Sequence, residues 1–516
     1  MKKTIIFLLA LFLSVMVFSN VYDYASNNDI EGIKSAIKNG EDLNDLGYNG
    51  RSALMQAIDY GNFDVAKILI EAGADVFIID EDGFYALHYA ARKGNLELTS
   101  MLVDKGINVN DHPDESKFYA GYTPLILACD SSRYADVFET VEYLISKGAD
   151  IEKVDFAFKS PLTAAIFGKN TQLIKLLLEK GADPNNALSD GRTPLYLSIL
   201  EGLPYEVVEV LLEYGADANT GTEYFTPLSL AVSKAGTDII SILVEYGADL
   251  NYRNSSGNSL IHSAAGRNSQ KNLELLIGYG LDVNARNDGG QTPVHIAAEK
   301  GYFKNIPLLY SKGAKLFEKD SNGYLPIHIH LAVNDGNIEG IDWLISLGAD
   351  INQNEEEFKT APIHIAAANG DLETLEYIVS KGADVSIKAF NGQTPIYTAV
   401  IGNAGEEIFD FLISHGADIN AEDNTGQTPL FIAVQKYRMG IISILLSRGA
   451  NPNHQDMEGK TPAHYAAQDK WDGIEMIDML IESGADLNIM DNSGNTPIHY
   501  AVTDEIKEHI NTLLNN

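Results

Sequence analysis

Short apolar stretches recur along the chain at a nearly constant distance, and each ends at a glycine. Ile441, Ile442, Ile444, Leu445 and Leu446 before Gly449 show the form. Their spacing is that of a helix of about nine residues with one buried face. The closing glycine is predicted to turn left-handed and stop the helix. Such glycines stand at Gly40, Gly73, Gly106, Gly148, Gly181, Gly215, Gly247, Gly280, Gly313, Gly348, Gly382, Gly416, Gly449 and Gly484. Twelve of the thirteen intervals fall between 32 and 35 residues, and the third is 42. A period of this length predicts a repeat array whose units bury their apolar stripes only against one another.

A second signal follows each glycine by about ten residues. Thr123-Pro124, Thr193-Pro194, Thr226-Pro227, Thr292-Pro293, Thr394-Pro395, Thr428-Pro429, Thr461-Pro462 and Thr496-Pro497 each pair an N-cap with a first-turn proline. A short helix is predicted after each, with paired small residues such as Ala297-Ala298 allowing close approach. One unit therefore reads turn, short helix, loop, longer helix, glycine. Ser52-Ala53, Tyr85-Ala86, Ser259-Leu260 and Leu325-Pro326 replace Thr-Pro, so those starts are expected to lean more on packing.

Thr292-Pro293-Val294-His295-Ile296-Ala297 and Thr496-Pro497-Ile498-His499-Tyr500-Ala501 resemble the signature of the ankyrin repeat. The resemblance covers about residues 21 to 516 and implies an all-α repeat solenoid of helix-turn-helix units with β-turn or hairpin fingers. About fifteen repeats are expected, with 20–50 and 495–516 as capping repeats around an array over 51–494. It further implies an extended concave surface of fingers and first helices, with no deep central pocket. Seven histidines, His88, His262, His295, His328, His364, His464 and His499, occupy the fourth signature position. The resemblance implies that they bridge neighbouring turns by hydrogen bonds. The close pair His328 and His330 offers a metal site as the alternative.

The first nineteen residues stand apart. Lys2 and Lys3 precede an apolar run from Ile5 to Phe18, with Val17 and Ser19 at the small-residue positions of a cleavage site before Asn20. Residues 1–19 are expected to be a signal peptide, of bacterial style. The run is short for a membrane span, and no later stretch approaches spanning length, so no membrane insertion is expected after its removal.

With 37 basic and 72 acidic residues the chain carries a formal charge of −35. That field repels nucleic acid and anionic lipid and favours a basic partner. The single cysteine, Cys129, excludes a disulfide framework and a cysteine zinc site, and it stands where sister repeats place a small buried alanine. Gly459-Lys460-Thr461 imitates the end of a phosphate loop without its earlier glycine, and Asp80-Glu81-Asp82-Gly83 imitates a calcium loop without its closing glutamate. No catalytic constellation, cofactor or metal site is expected.

A partner would grip the turn tips and first helices. Exposed aromatics beside Arg51 and Arg92 have the composition of interface anchors. The candidate residues are Tyr60, Phe84, Arg92, Phe118, Tyr119 and Tyr122, with Tyr224 and Phe225 as an extension. The competing reading is that these rings cover adjoining turns. The expected function is that of an exported, non-catalytic protein-protein interaction scaffold, periplasmic or secreted. A periplasmic structural or protective protein associated with envelope components is the alternative.

Overall fold

The computed structural model describes residues 20–333, 337–355 and 359–515; the expected signal segment 1–19 lies outside them. Among the described residues there are 29 α-helices, two 3-10 turns and no strand. Two isolated antiparallel bridges, Leu46 with Ser52 and Arg253 with Ser259, are the extended pairing recorded at the fingers. The chain divides into two compact units, one ending at Tyr252 and the other beginning at Arg253.

In the N-terminal unit the repeat is seen in the pair Ala53–Tyr60 and Phe63–Glu71, followed by Ala86–Lys93 and Leu96–Asp104. First helices pack on first helices and second helices on second helices. Ala57, Ala90, Ala128 and Cys129 are fully buried at the first-helix contacts, where only small side chains fit. Burial also pushes the Cys129 thiol well above its usual range, leaving it inert. The C-terminal unit repeats the scheme from Leu260–Ala265 onward. It ends in Asp504–Asn515, a helix that buries Ile506 and Ile510 and leaves most other side chains in solvent.

All fourteen period glycines have positive φ, from 70° at Gly40 to 102° at Gly348. An added Cβ at Gly73, Gly181 or Gly449 would meet nothing within 4 Å, so the backbone conformation, and not space, demands glycine there. The helix starts lacking Thr-Pro keep a cap after all. Ser52 accepts from the Met55 N–H at 3.3 Å. At Tyr85 and Leu325 the backbone N–H donates instead to the imidazole three residues on, at 3.0 and 3.4 Å.

Five of the seven imidazoles tie their repeat to the next, while among the described residues His328 Nε2 makes no hydrogen bond and His499 bonds only to Thr496. His295 Nδ1 accepts from the Thr292 N–H at 3.1 Å, and its Nε2 lies 3.1 Å from the Tyr324 carbonyl one finger away. His88, His262, His364 and His464 do the same toward the carbonyls of Asp111, Gln291, Gln393 and Asn495. An Nδ1 that accepts leaves the proton on Nε2, so the bridging ring is neutral. Burial pushes His88 and His328 down to about 4 and lowers His262, His295, His364 and His464 as well. His330 turns to other partners, the Asn337 carbonyl at 2.8 Å and the Phe303 ring at 4.7 Å.

A second ladder escaped the sequence reading. Asn185 donates to the Gly215 carbonyl at 2.9 Å and accepts from the Asp217 N–H at 2.8 Å. Asn110, Asn219, Asn284, Asn352 and Asn453 make the same paired bridge to the following turn. Each stands four residues after its period glycine, so one carboxamide satisfies a helix-end carbonyl and a turn N–H together. Phe77 and Phe317 hold that position in two repeats, and their rings reach the next period glycine, Gly106 and Gly348.

Candidate partner-binding surface

The long third period places two adjoining fingers of the N-terminal unit in ring contact. Phe118 lies 5.0 Å from Tyr119 and 6.1 Å from Phe156, centroid to centroid. Tyr119 meets Tyr122 at 5.7 Å, and Tyr122 meets Phe156 at 6.3 Å. The Lys159 ammonium sits 4.9 Å over the Tyr122 ring and 3.0 Å from Asp130. The Phe156 N–H donates to the Ala120 carbonyl at 3.1 Å, which fixes one finger on the other.

The finger at 155–159 has an unusual backbone. Asp155 Oδ1 accepts from the N–H groups of Ala157 and Lys159 at 2.8 and 2.9 Å, the same clasp that Asp80 and Asp320 form. Three residues beyond the aspartate, the sister fingers carry Gly83, Gly323 and Gly459 at positive φ. Here the residue is Phe158, at φ 62°. A bulky side chain in the left-handed region is strained by about 1–2 kcal/mol. Phe158 is 54% exposed, Phe156 57% and Phe118 76%, so the strain displays rings to solvent and does not seat them in a core.

The expected candidates fall into three groups. Phe118, Tyr119 and Tyr122 belong to the ring cluster, Phe118 exposed and the two tyrosines half-buried. Phe84 departs from the expectation of an exposed tip. It is 7% exposed, packed on His88, Tyr89 and Tyr119 at 5.0, 6.2 and 5.1 Å, because the inserted segment lays Tyr119 over it. Arg92 is engaged too, paired with Asp59 and set 5.2 Å over the Tyr89 ring. Tyr60, Tyr224 and Phe225 are exposed but take no part in the cluster's ring contacts among the described residues. Phe156 and Phe158 were missed, although the absent glycine in Asp155-Phe156-Ala157-Phe158 is a readable sign.

Arg92 belongs to a polar lattice beneath. Asp59 receives Arg51 at 2.9 Å, Lys93 at 3.5 Å and Arg92, while Arg51 lies 4.0 Å from Asp80 and 5.0 Å over Tyr89. The Tyr89 hydroxyl donates to Asp80 at 2.5 Å. Burial and the adjoining carboxylates push that phenol far above its ordinary range. Every charge there has a partner, so the lattice braces the fingers and has no group poised for chemistry. Among the described residues no three histidine, cysteine or acidic side chains converge as a metal site.

Family models described as "Ankyrin repeats (3 copies)" match residues 72–155, 137–222, 220–287, 261–355, 363–456 and 438–516, and one described as "Ankyrin repeats (many copies)" matches 37–90. The chain is similar to Alpha-latrocrustotoxin-Lt1a of Latrodectus tredecimguttatus, 35% identical over 117 residues, 22% of this chain and 8% of the toxin. It is 36% identical over 111 residues to a putative ankyrin repeat protein of Rickettsia felis, 20% of this chain and 46% of that one. A third relative, an L-asparaginase of Dirofilaria immitis, is 31% identical over 182 residues, 35% of this chain and 29% of the enzyme. In each case the chain spans less than half of the relative's length. With family matches running from residue 37 to 516, and with the glycine stops and histidine bridges in place, the chain belongs to the ankyrin repeat family.

Proposed function

We propose that this chain is an exported, non-catalytic scaffold that binds a basic protein partner through the ring cluster of its third and fourth repeats. One observation carries the reading: Phe158 holds a conformation proper to glycine while its ring is largely in solvent, two residues along the same finger from Phe156 of the cluster. Backbone strain retained at an exposed aromatic points to a binding role, since folding alone favours glycine there. The formal charge of −35 supports steering of a basic partner, and aromatic anchors supply the fit. Export is supported by Lys2, Lys3 and the apolar run that follows. Among the described residues no helix is long and apolar enough to cross a membrane. Residues 20–50 and 495–516 act as caps in this reading, enclosing the array at 51–494.

The test compares immobilised wild-type chain with a Phe118→Ala, Phe156→Ala, Phe158→Gly variant in crosslinking capture from the native culture. A protein held by the wild type and lost by the variant, with no loss of thermal stability, is the expected result. Equal capture by both would remove the cluster from the binding surface. Fractionation addresses the compartment: recovery from the medium fits an outward-acting binder, and retention in the envelope fits the structural or protective alternative.

A further inference from the structure

The C-terminal unit contains a recess of about 450 Å³, lined among others by Gln291, Glu299, Asp320, Ile329, Ala332 and Val333. Each of these positions has a counterpart 240 residues earlier in the N-terminal unit: Arg51, Asp59, Asp80, Tyr89, Arg92 and Lys93. The correspondence is set by equal distances from the helix starts Ser52 and Thr292, and from Tyr85 and Leu325. The earlier copy is the polar lattice described above. There Arg51 reaches both acids and Tyr89 caps Asp80, with Arg92 and Lys93 closing on Asp59.

The later copy keeps both carboxylates and replaces the three cations of the lattice. Arg51 becomes Gln291, Arg92 becomes Ala332, Lys93 becomes Val333, and the capping phenol becomes Ile329. Asp320 still clasps its finger, accepting from the Asn322 and Tyr324 N–H groups at 2.9 Å each. Among the described residues no cation lies within ion-pair reach of it. Glu299 is turned toward Lys300, its exposed chain neighbour, at 2.7 Å. A further polar group there lacks its regular bond. His328 lines the recess fully buried, and its Nε2 makes no hydrogen bond, the Gln353 and Thr360 backbones lying near but outside bonding geometry.

We infer that this recess receives an arginine side chain of a partner protein, in the place that Arg51 fills by itself in the N-terminal unit. The molecule thus shows both states of one arrangement, filled from within and open to be filled from outside. A guanidinium suits it because a planar fork can address two carboxylates at once, and Arg51, paired with Asp59 and 4.0 Å from Asp80, sits between the same two acids. The apolar replacements Ile329, Ala332 and Val333 widen the space and offer a surface to the methylene stem. Val333, at the mouth, is exposed, so an incoming side chain has a path. The site is independent of the ring cluster at 118–158, so either can fail without the other.

The experiment uses the full mature chain and acetyl-arginine methylamide as the probe, read by saturation-transfer NMR at physiological salt. Acetyl-citrulline methylamide serves as the neutral isostere. Binding of the arginine probe is expected, about tenfold stronger than that of citrulline. The variant Gln291→Arg, Ala332→Arg, Val333→Lys installs the earlier set of cations and should abolish the signal. A charge-matched control with lysine at the exposed positions Gln172, Ser255 and Asn511 should retain it. Asp320→Asn, which keeps the finger clasp, should weaken binding about tenfold. Equal binding of citrulline, or an undiminished signal in the self-filled variant, would overturn the proposal. So would a loss in the control as large as in the self-filled variant.

Discussion

The fingers at 155–159 and 456–460 share one backbone and differ in what they show to solvent. In both, an aspartate Oδ1 gathers the N–H groups two and four residues ahead, at 2.8 and 2.9 Å from Asp155 and at 3.0 and 2.9 Å from Asp456. In the later finger Gly459 takes the left-handed position at φ 77°, and the Tyr465 hydroxyl satisfies Asp456 Oδ2 at 2.7 Å. In the earlier one Phe158 takes that position, and Asp155 Oδ2 is buried with no hydrogen bond, only Lys159 at 3.9 Å. The regular finger is what folding selects when nothing else acts on it. The irregular one gives up a relaxed backbone and a satisfied carboxylate, and what it has in exchange is a projecting ring.

The largest effect separates rings that fold the protein from rings that are displayed. Phe84→Ala removes a buried aromatic held between His88, Tyr89 and Tyr119, and should destabilise the N-terminal unit by about 3–5 kcal/mol. Phe118→Ala should stay within about 0.5 kcal/mol. Urea unfolding of the two variants side by side measures this difference. A mild Phe84 variant would return that residue to the candidate surface.

Acidification probes the buried imidazoles at the fourth signature position. His88 and His328 are held down to about 4 by burial, against about 6.5 unfolded, so between those values the unfolded chain binds more protons than the folded one. The stability tied to each neutral ring is therefore whole above pH 6.5, declines as the pH falls toward 4, and is flat below. The loss is on the order of 3 kcal/mol for each of these two rings. Relief of repulsion among the carboxylates acts the other way, since the chain starts from a charge of −35. A thermal midpoint lower at pH 4.5 than at pH 7.5 is expected. A midpoint that held or rose would mean that charge relief outweighs the bridges.

Most of the architecture was legible because the array repeats a few backbone requirements at a fixed period. A left-handed stop needs glycine, a helix start needs a hydroxyl or an imidazole, and both recur as letters. The asparagine ladder was equally legible, four residues after most of the period glycines, but its carboxamides bond across repeats, and no single unit reveals that. Phe84 could not be read correctly from its position alone. It sits at a tip, and only the inserted segment carrying Tyr119 buries it. Phe158 was visible as a missing glycine. The recess near Asp320 required comparison of positions 240 residues apart, and then the knowledge that Arg51, Arg92 and Lys93 converge on Asp59 in the earlier copy. In a repeat protein, function is read from departures, and a departure has meaning only once the regular contact it replaces is known.

The smallest predicted effect is also the one that bears most directly on the two fingers. Exchanging their third residues after aspartate should move stability in opposite directions. Phe158→Gly should stabilise the N-terminal unit by about 1 kcal/mol, because the left-handed backbone is relieved and an exposed ring surrenders little packing. Gly459→Phe should destabilise the C-terminal unit by more than about 1–2 kcal/mol, since the same strain is then introduced together with a steric clash. An added Cβ there would also meet Asn492, its Oδ1 at 2.6 Å and its backbone N at 2.7 Å, so crowding adds to the strain at this position. Hydrogen exchange resolved by peptide assigns each change to its own unit. If Phe158→Gly lost stability, its ring would be a packing residue, and the strain would serve the fold and not a partner. If it gained stability while capture of the partner weakened, the finger would be shown to hold its phenylalanine for recognition at the expense of its own backbone.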